Sequence, residues 1–306
     1  MFVGHISVDK VENVNGTRIQ PGGAALYAAM AARTLSKNVT LISATGKDNK
    51  FLNVVNLFPY KDVKIYDTPS TKFHIKYDCR WEANYLKADH GAGSRITSRR
   101  ISEKWLMHKS IFHISPMQPS KVAKILDKIK KRSPESKVSV NTWIDYIREG
   151  RKNRRILKEI ALKADFFIVN DTEAKELAQT KSLSSAVRLL KARKLIVTLG
   201  SLGAIISGDD VGLQNIPALN LAPDKVVDTT GAGDVWCGAF LATYNLTEDF
   251  VKSVSAASTI SRIKCSDWGF KSLINLRFKE PNDVIEFVMG LKDGGIQKRI
   301  FDYLKE

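Results

Sequence analysis

The chain has 306 residues, 43% of them hydrophobic and 26% charged, enough to bury a core in one large domain or in a main domain with a small appendage. Forty-eight Lys and Arg against thirty-two Asp and Glu give a formal net charge of +16, which attracts polyanions. The densest basic runs, Arg148 to Glu159 and Lys128 to Arg132, lack the interleaved aromatics of a single-strand groove and read as solvated helix faces, which argues against nucleic acid as a partner.

MFVGHISVDK is too short and too polar for a signal peptide or spanning helix, and Cys79, Cys237 and Cys265 have no CxxC spacing. These features speak against a membrane partner, a disulfide framework and a zinc knuckle, and they predict a cytoplasmic protein. In chain order, MFVGHISVD predicts a buried first strand ending at Asp9. VENVNGTRIQ, with its Asn15-Gly16 pair, predicts a hairpin. Pro21-Gly22-Gly23 precedes AALYAAMAARTL, an alanine-rich helix able to lie close to a sheet, and NVTLISATG predicts another strand.

From Phe58 to Ile96, KIYDT, KFHIKYD and the segment through Trp81 and Tyr85 show partial alternation without a helical period, which predicts a small antiparallel sheet together with residues 11–20. The remainder alternates strand and helix: SIFHIS, QPSKVAKILDKIKKR, KVSVNTW, NRRILKEIALK, DFFIVN, DTEAKELAQ, SLSSAVRLLKAR and KLIVTLG. That order predicts a mostly parallel sheet covered by helices on both faces. The expected division is a main α/β body of residues 1–10, 21–57 and 97–306, with a small β lid of 11–20 and 58–96. In such a sheet, binding groups collect at the carboxyl ends of strands, where Asp9, Asn141, Asn170 to Glu173, Thr198 and Gly200 fall.

The strongest signal is VVDTTGAGDVWCGAF, Val226 to Phe240. Val226 and Val227 read as a strand end, and Gly231, Ala232 and Gly233 make a tight turn whose N–H groups suit phosphate oxygens at a helix N-terminus. Asp234 beside that cradle would repel a static phosphate. An alcohol held between them can give Asp234 its proton as its oxygen attacks phosphorus, while the amides stabilise the moving phosphoryl. The turn lacks the Lys and Ser/Thr of a Walker A loop, and the first βα turn lacks GxGxxG.

DTTGAGD before an apolar helix resembles the C-terminal signature of the ribokinase-like, or PfkB-type, carbohydrate kinases. PGGAALYAAMAARTL followed by VTLISATGKD resembles their N-terminal signature. Asn170-Asp171-Thr172-Glu173 matches their N-x-x-E motif, and Thr198-Leu199-Gly200 with Gly203 is a fourth match in family order. The resemblance implies a ribokinase-like three-layer sandwich with a small β lid, and phosphorylation of a small molecule by ATP with Mg2+.

By the same resemblance, Asp234 is the base and Gly231, Ala232 and Gly233 form the anion hole. Asn170 and Glu173 organise magnesium, Glu173 through water. Thr198, Gly200 and Gly203 belong to the nucleotide side, and Ala256, Ala257 and Ser258 would flank adenine, although small residues there equally suit helix packing. Asp228 becomes a candidate ligand for a monovalent cation such as K+, with no obvious second half in IKCSDWGF. Asp9, Gly22 and Gly23 would hold acceptor hydroxyls, and the lid would exclude water.

Two departures stand out: Leu26-Tyr27-Ala28 where many sugar kinases of this type carry Asn, and Asn141 where relatives often carry Asp. Tyr27 is a candidate aromatic wall or hydroxyl for the acceptor. The expected acceptor is therefore a sugar or polyol, myo-inositol included, with a nucleoside as the alternative. Arg95, Arg99 and Arg100 leave a phosphorylated acceptor open. A non-catalytic nucleotide- or nucleic-acid-binding protein is the competing class, and it would need this turn without a working acid. A monomer and a homodimer both fit.

Overall fold

The structure, a computed structural model, describes residues 1–218 and 226–278 with Asp283 and Glu286. In chain order the first elements are β1 (Phe2–Val3), β2 (Ser7–Asn13), β3 (Gly16–Gly22), α1 (Ala24–Arg33), β4 (Thr40–Gly46), β5 (Tyr60–Tyr66), β6 (Thr71–Tyr77) and β7 (Ala83–Asp89). Next come α2 (Glu103–Leu106), β8 (Ile111–Ile114), α3 (Pro119–Arg132), β9 (Lys137–Asn141), α4 (Ile144–Arg148), α5 (Arg151–Lys163), β10 (Phe166–Asn170), α6 (Asp171–Ala178), α7 (Leu183–Leu189), β11 (Leu195–Thr198), β12 (Ala204–Gly208) and β13 (Gly212–Ile216). The last are α8 (Ala232–Thr247) and α9 (Phe250–Cys265). The fold is α/β, with mixed sheet in the main body and a smaller second sheet. Among the described residues, no helix is long and apolar enough to cross a membrane.

Two units form, one of residues 97–218 with Met1, the other of residues 2–96 with the described residues from 226 onward. The sequence predicted a different division. In the unit of residues 97–218, strands β8, β9, β10 and β11 run parallel. Phe166, Phe167, Ile168 and Val169 are all buried, as a strand covered on both faces requires. Helices α3 and α5 pack against each other with Val122, Ile125, Ile129, Leu157 and Ile160 buried. Lys124, Lys131, Arg132, Arg151, Lys152, Arg155 and Lys158 are exposed, whereas Lys128, Lys130 and Arg154 are half-buried, Lys130 against Asp165, so the basic runs are only partly solvated faces. The sheet ends in an antiparallel hairpin, β12–β13, that the sequence reading missed. β13 is an edge strand with Leu213 72% exposed, so its pattern lacks the apolar run of the central strands.

In the other unit, β1, β4 and β5 pair in parallel. Strand β5 ends with Lys64-Ile65-Tyr66 of KIYDT, so that stretch belongs to this parallel sheet and the reading of all of 58–96 as lid is corrected. Its exposed Tyr60 and Ile65 mark a half-covered strand, whose alternation imitates that of a small sheet. The second sheet has the order β3-β2-β6-β7. It is antiparallel except for the parallel β2–β6 pair. Its core is Val11, Ile75 and Tyr77, with Phe73, Trp81 and Trp268 packed against them.

The predicted first strand is split. β1 ends at Val3 in one sheet and β2 begins at Ser7 in the other, so the small sheet takes residues 7–22 rather than 11–20. Asp9 accordingly lies within β2, opposite Gln20 of β3 and Phe73 of β6. The predicted hairpin forms around Val14 and Asn15, with Asn13 paired to Gly16. Val226 and Val227 are not a strand.

Candidate active site

The turn before α8 is anchored by Asp228, which is fully buried. Its Oδ1 accepts the Thr230 N–H at 2.9 Å, and its Oδ2 accepts Gln20 Nε2 at 3.0 Å and the Gly269 N–H at 2.9 Å. Behind it, the Lys264 ammonium donates to the Asp228 carbonyl at 2.7 Å and lies 3.3 Å from Oδ2, with neither side chain exposed. Burial alone would raise the Asp228 pKa, but the Lys264 charge and the hydrogen bonds from Thr230 and Gln20 outweigh it and hold the carboxyl below its ordinary value. Burial pulls the Lys264 pKa down, against Asp228.

The segment leading into the turn is tied from two sides. The Cys265 carbonyl accepts the N–H groups of Val227 and Asp228. Asn13 Nδ2 donates to the Val227 carbonyl at 3.0 Å, and Asn15 Nδ2 to the Val226 carbonyl at 3.0 Å. The tip of the β2–β3 hairpin therefore holds the chain that sets Asp228.

Gly231 caps α8 in the left-handed region, φ 72° and ψ 10°. A Cβ there would lie 2.4 Å from the Tyr27 ring. Only glycine meets both conditions. The Ala232 N–H, expected in the anion hole, donates instead to the Thr229 carbonyl at 3.0 Å. Among the described residues the Gly231 and Gly233 N–H groups have no protein acceptor, and space is open beside Gly233. Those two amides are the candidates left for the cradle. Asp234 follows, half-buried in the first turn of α8.

Asp9 is 2% exposed and accepts the Ser7 hydroxyl at 2.6 Å. Burial lifts its pKa from the ordinary 3.8 to about 7; the Ser7 bond opposes this, and the charges of Asp228 and Asp234 add to it. Asp9, Asp228 and Asp234 thus share one electrostatic neighbourhood. Gly22 lies against the Asp9 carboxylate, since a Cβ there would fall 1.8 Å from Oδ2. Tyr27 is 1% exposed, with its ring under Gly231, its edge against Phe270, and its hydroxyl accepting from Gln20 at 3.3 Å. This placement makes it a support for the turn rather than an open wall.

Ala257 is fully buried in α9, where packing of small residues accounts for it without a ligand. His5 contacts Thr71 Oγ1 at 3.3 Å, and His74 pairs with Glu12 at 2.7 Å.

In the unit of residues 97–218, Asn141 ends β9 and Thr198 ends β11. Asn170 and Glu173 cap α6 reciprocally: Asn170 Oδ1 accepts the Glu173 N–H at 2.8 Å, and Glu173 Oε2 accepts the Asn170 N–H at 3.1 Å. Gly200 is left-handed, φ 58°, with open space beside it. Gly203 has φ 107°, and a Cβ there would lie 2.1 Å from the Ile216 carbonyl, so closing the β12–β13 hairpin accounts for it without a ligand.

Sequence reading missed Lys264, Gln20, Asn13, Asn15 and Ser7. One signal for Lys264 existed. Ser253, Ala257, Ile260 and Lys264 fall on one helical stripe, and a lysine continuing an inward stripe needs an internal anion.

Residues 2–274 match the model of the "pfkB family carbohydrate kinase". A cytidine kinase of Thermococcus kodakarensis is 28% identical over 277 residues, covering 88% of this chain and 96% of that protein. A ribokinase of Lactococcus lactis is 27% identical, covering 87% of this chain and 90% of that protein. Among solved structures, the Burkholderia thailandensis nucleoside kinase in complex with inosine superposes with a TM-score of 0.74 at 18% identity, covering 94% of this chain and 96% of that one. With the model match spanning nearly all of the described residues, the chain belongs to the pfkB family of carbohydrate kinases and is an ATP-dependent phosphotransferase acting on an alcohol group of a small molecule.

Proposed function

We propose that the acceptor is a ribose-bearing small molecule, a nucleoside ahead of a free sugar or a polyol such as myo-inositol, and that Asp234 is the general base. The observation that carries the mechanism is Asp234 in the first turn of α8, beside two glycine amides that have no protein acceptor among the described residues. An alcohol oxygen between them loses its proton to Asp234 as it attacks, and the amides receive the charge gathering on the phosphoryl oxygens. Asp9 grips the other hydroxyls of the acceptor, and Gly22 leaves room for its carboxylate.

Two observations favour the nucleoside: the cytidine kinase matched along 96% of its length, and the partly buried aromatics Phe73, Trp81 and Trp268 gathered at the small sheet, rings of the kind a base stacks on.

Magnesium suits the donor set. Magnesium keeps waters and phosphate oxygens and asks little more of a protein than one carboxylate. Glu173, with Asn170, would hold it, and when bound it neutralises charge on the triphosphate. Thr198 and Gly200 belong in this reading to the nucleotide side.

The test is ADP release with cytidine, inosine, adenosine, ribose, fructose and myo-inositol. Nucleosides should give the highest kcat/KM, and Asp234→Asn should lower kcat by about 10²-fold or more with little change in KM. Equal activity in the variant would remove Asp234 as base. A free sugar or inositol outrunning every nucleoside would overturn the acceptor assignment.

A further inference from the structure

The family resemblance implies a monovalent cation, such as potassium, at Asp228. The residues present do not fit one. The Asp228 carbonyl and Oδ2 already face the Lys264 ammonium at 2.7 and 3.3 Å, and that ammonium is wholly shielded from solvent. A second cation bonded to the same oxygens would sit a few ångströms from the first and be repelled by it at close range in a poorly screened interior. The remaining capacity of the Asp228 carboxylate is spent on Thr230, Gln20 and Gly269. The Cys265 carbonyl is turned to the Val227 and Asp228 amides.

We infer that Lys264 is a tethered cation that takes the place of a monovalent ion, and that this kinase works without one. Ammonium and potassium are close in size, so a lysine head group suits a pocket of that kind. The difference lies in delivery: α9 fixes Lys264 at its last turn, so its concentration at Asp228 is set by the chain rather than by the medium. The ring of Tyr27, with its centroid 5.6 Å from Nζ, closes another side of the ammonium. That same ring lies under Gly231, so one cation joins the Asp228 carbonyl, the Asp228 carboxylate and the support of the glycine turn.

Lys264 is thus a positioning residue. It touches neither phosphate nor acceptor and acts by holding the 228–234 segment that presents the Gly231 and Gly233 amides. Its effect on turnover rests on the kinase reading above; its effect on the fold does not.

The experiment uses the full chain in choline, sodium, potassium and ammonium chloride at one ionic strength, with phosphoryl transfer and melting temperature read in each. Wild type should show the same rate within about twofold, because screening is matched, and the same Tm within about 1 °C. Lys264→Ala should lose about tenfold or more in kcat in choline and recover on titration with potassium or ammonium, in a saturable way. Its Tm should fall and then rise by about 5 °C with the same ions.

Saturable activation of wild type by potassium, or a potassium-dependent rise in its Tm, would overturn the proposal whether or not the variant folds. So would a variant as active as wild type in choline. A wild type inert toward every acceptor in every salt would instead sink the kinase reading, while the melting data would still decide the role of Lys264.

Discussion

Asp9→Asn separates the demands of stability from those of substrate binding. Burial holds the Asp9 carboxyl near pKa 7 in the folded chain, against 3.8 ordinarily. Because this is an acid with a raised folded value, the sign is the reverse of the usual salt-bridged carboxylate. Below about pH 4 both states are protonated and the group is neutral to stability. As pH rises from about 4 to about 7, the unfolded chain loses the proton while the folded chain keeps it, and stability falls; above about 7 the loss is complete. At 1.36 kcal/mol for each pKa unit, the full cost is about 4 kcal/mol, an upper figure because the interior relaxes around a buried charge.

Asparagine cannot ionise, and its side-chain oxygen can still accept the Ser7 hydroxyl. Melting curves of wild type and Asp9→Asn should therefore nearly coincide near pH 4 and separate toward pH 8, the variant melting higher by about 3 °C or more. The same variant should raise the acceptor KM, since the hydroxyl-gripping charge is gone. Wild-type acceptor KM should fall as pH rises through about 7. Parallel melting curves, or an asparagine variant less stable than wild type at pH 8, would refute the reasoning.

Gly231→Ala drives a Cβ to 2.4 Å from the Tyr27 ring at a φ of 72°, so the turn must shift; kcat should drop by about 10² to 10³-fold while circular dichroism stays native. Near-normal kcat would show that the Gly231 amide is not used. Asn13→Ala with Asn15→Ala removes the hydrogen bonds to the Val226 and Val227 carbonyls, each worth about 1 kcal/mol. The pair should cost about five- to tenfold in kcat/KM with a small change in Tm, and unchanged kcat/KM would show that the hairpin does not set the turn.

The reach of sequence reading differs from element to element. DFFIVN is a strand because four consecutive apolar residues find cover on both faces, and the apolar run alone announces it. Lys64-Ile65-Tyr66 cannot be assigned to its sheet from the sequence because an edge strand of a parallel sheet and a strand of a small mixed sheet share the same half-exposed alternation. MFVGHISVD was read as one strand since nothing in its hydrophobicity marks the change of sheet after Val3. The glycine turn and Asp234 were legible because their backbone conformation and chemistry reside in a few consecutive residues. Ala232 was misassigned because which amide faces outward depends on how the turn closes on Thr229.

What the chain's order of residues determined alone was local: the left-handed glycine, the acid in the first helical turn, the reciprocal cap of Asn170 and Glu173, the alternation of strand and helix. What only the tertiary structure decided was long-range and electrostatic. Lys264 and Asp228 are 36 residues apart, and Gln20 and Asp228 are 208 apart. Charge reaches across space rather than along the chain, so a buried lysine declares its role only when folding places a carbonyl and a carboxylate against it and removes the water.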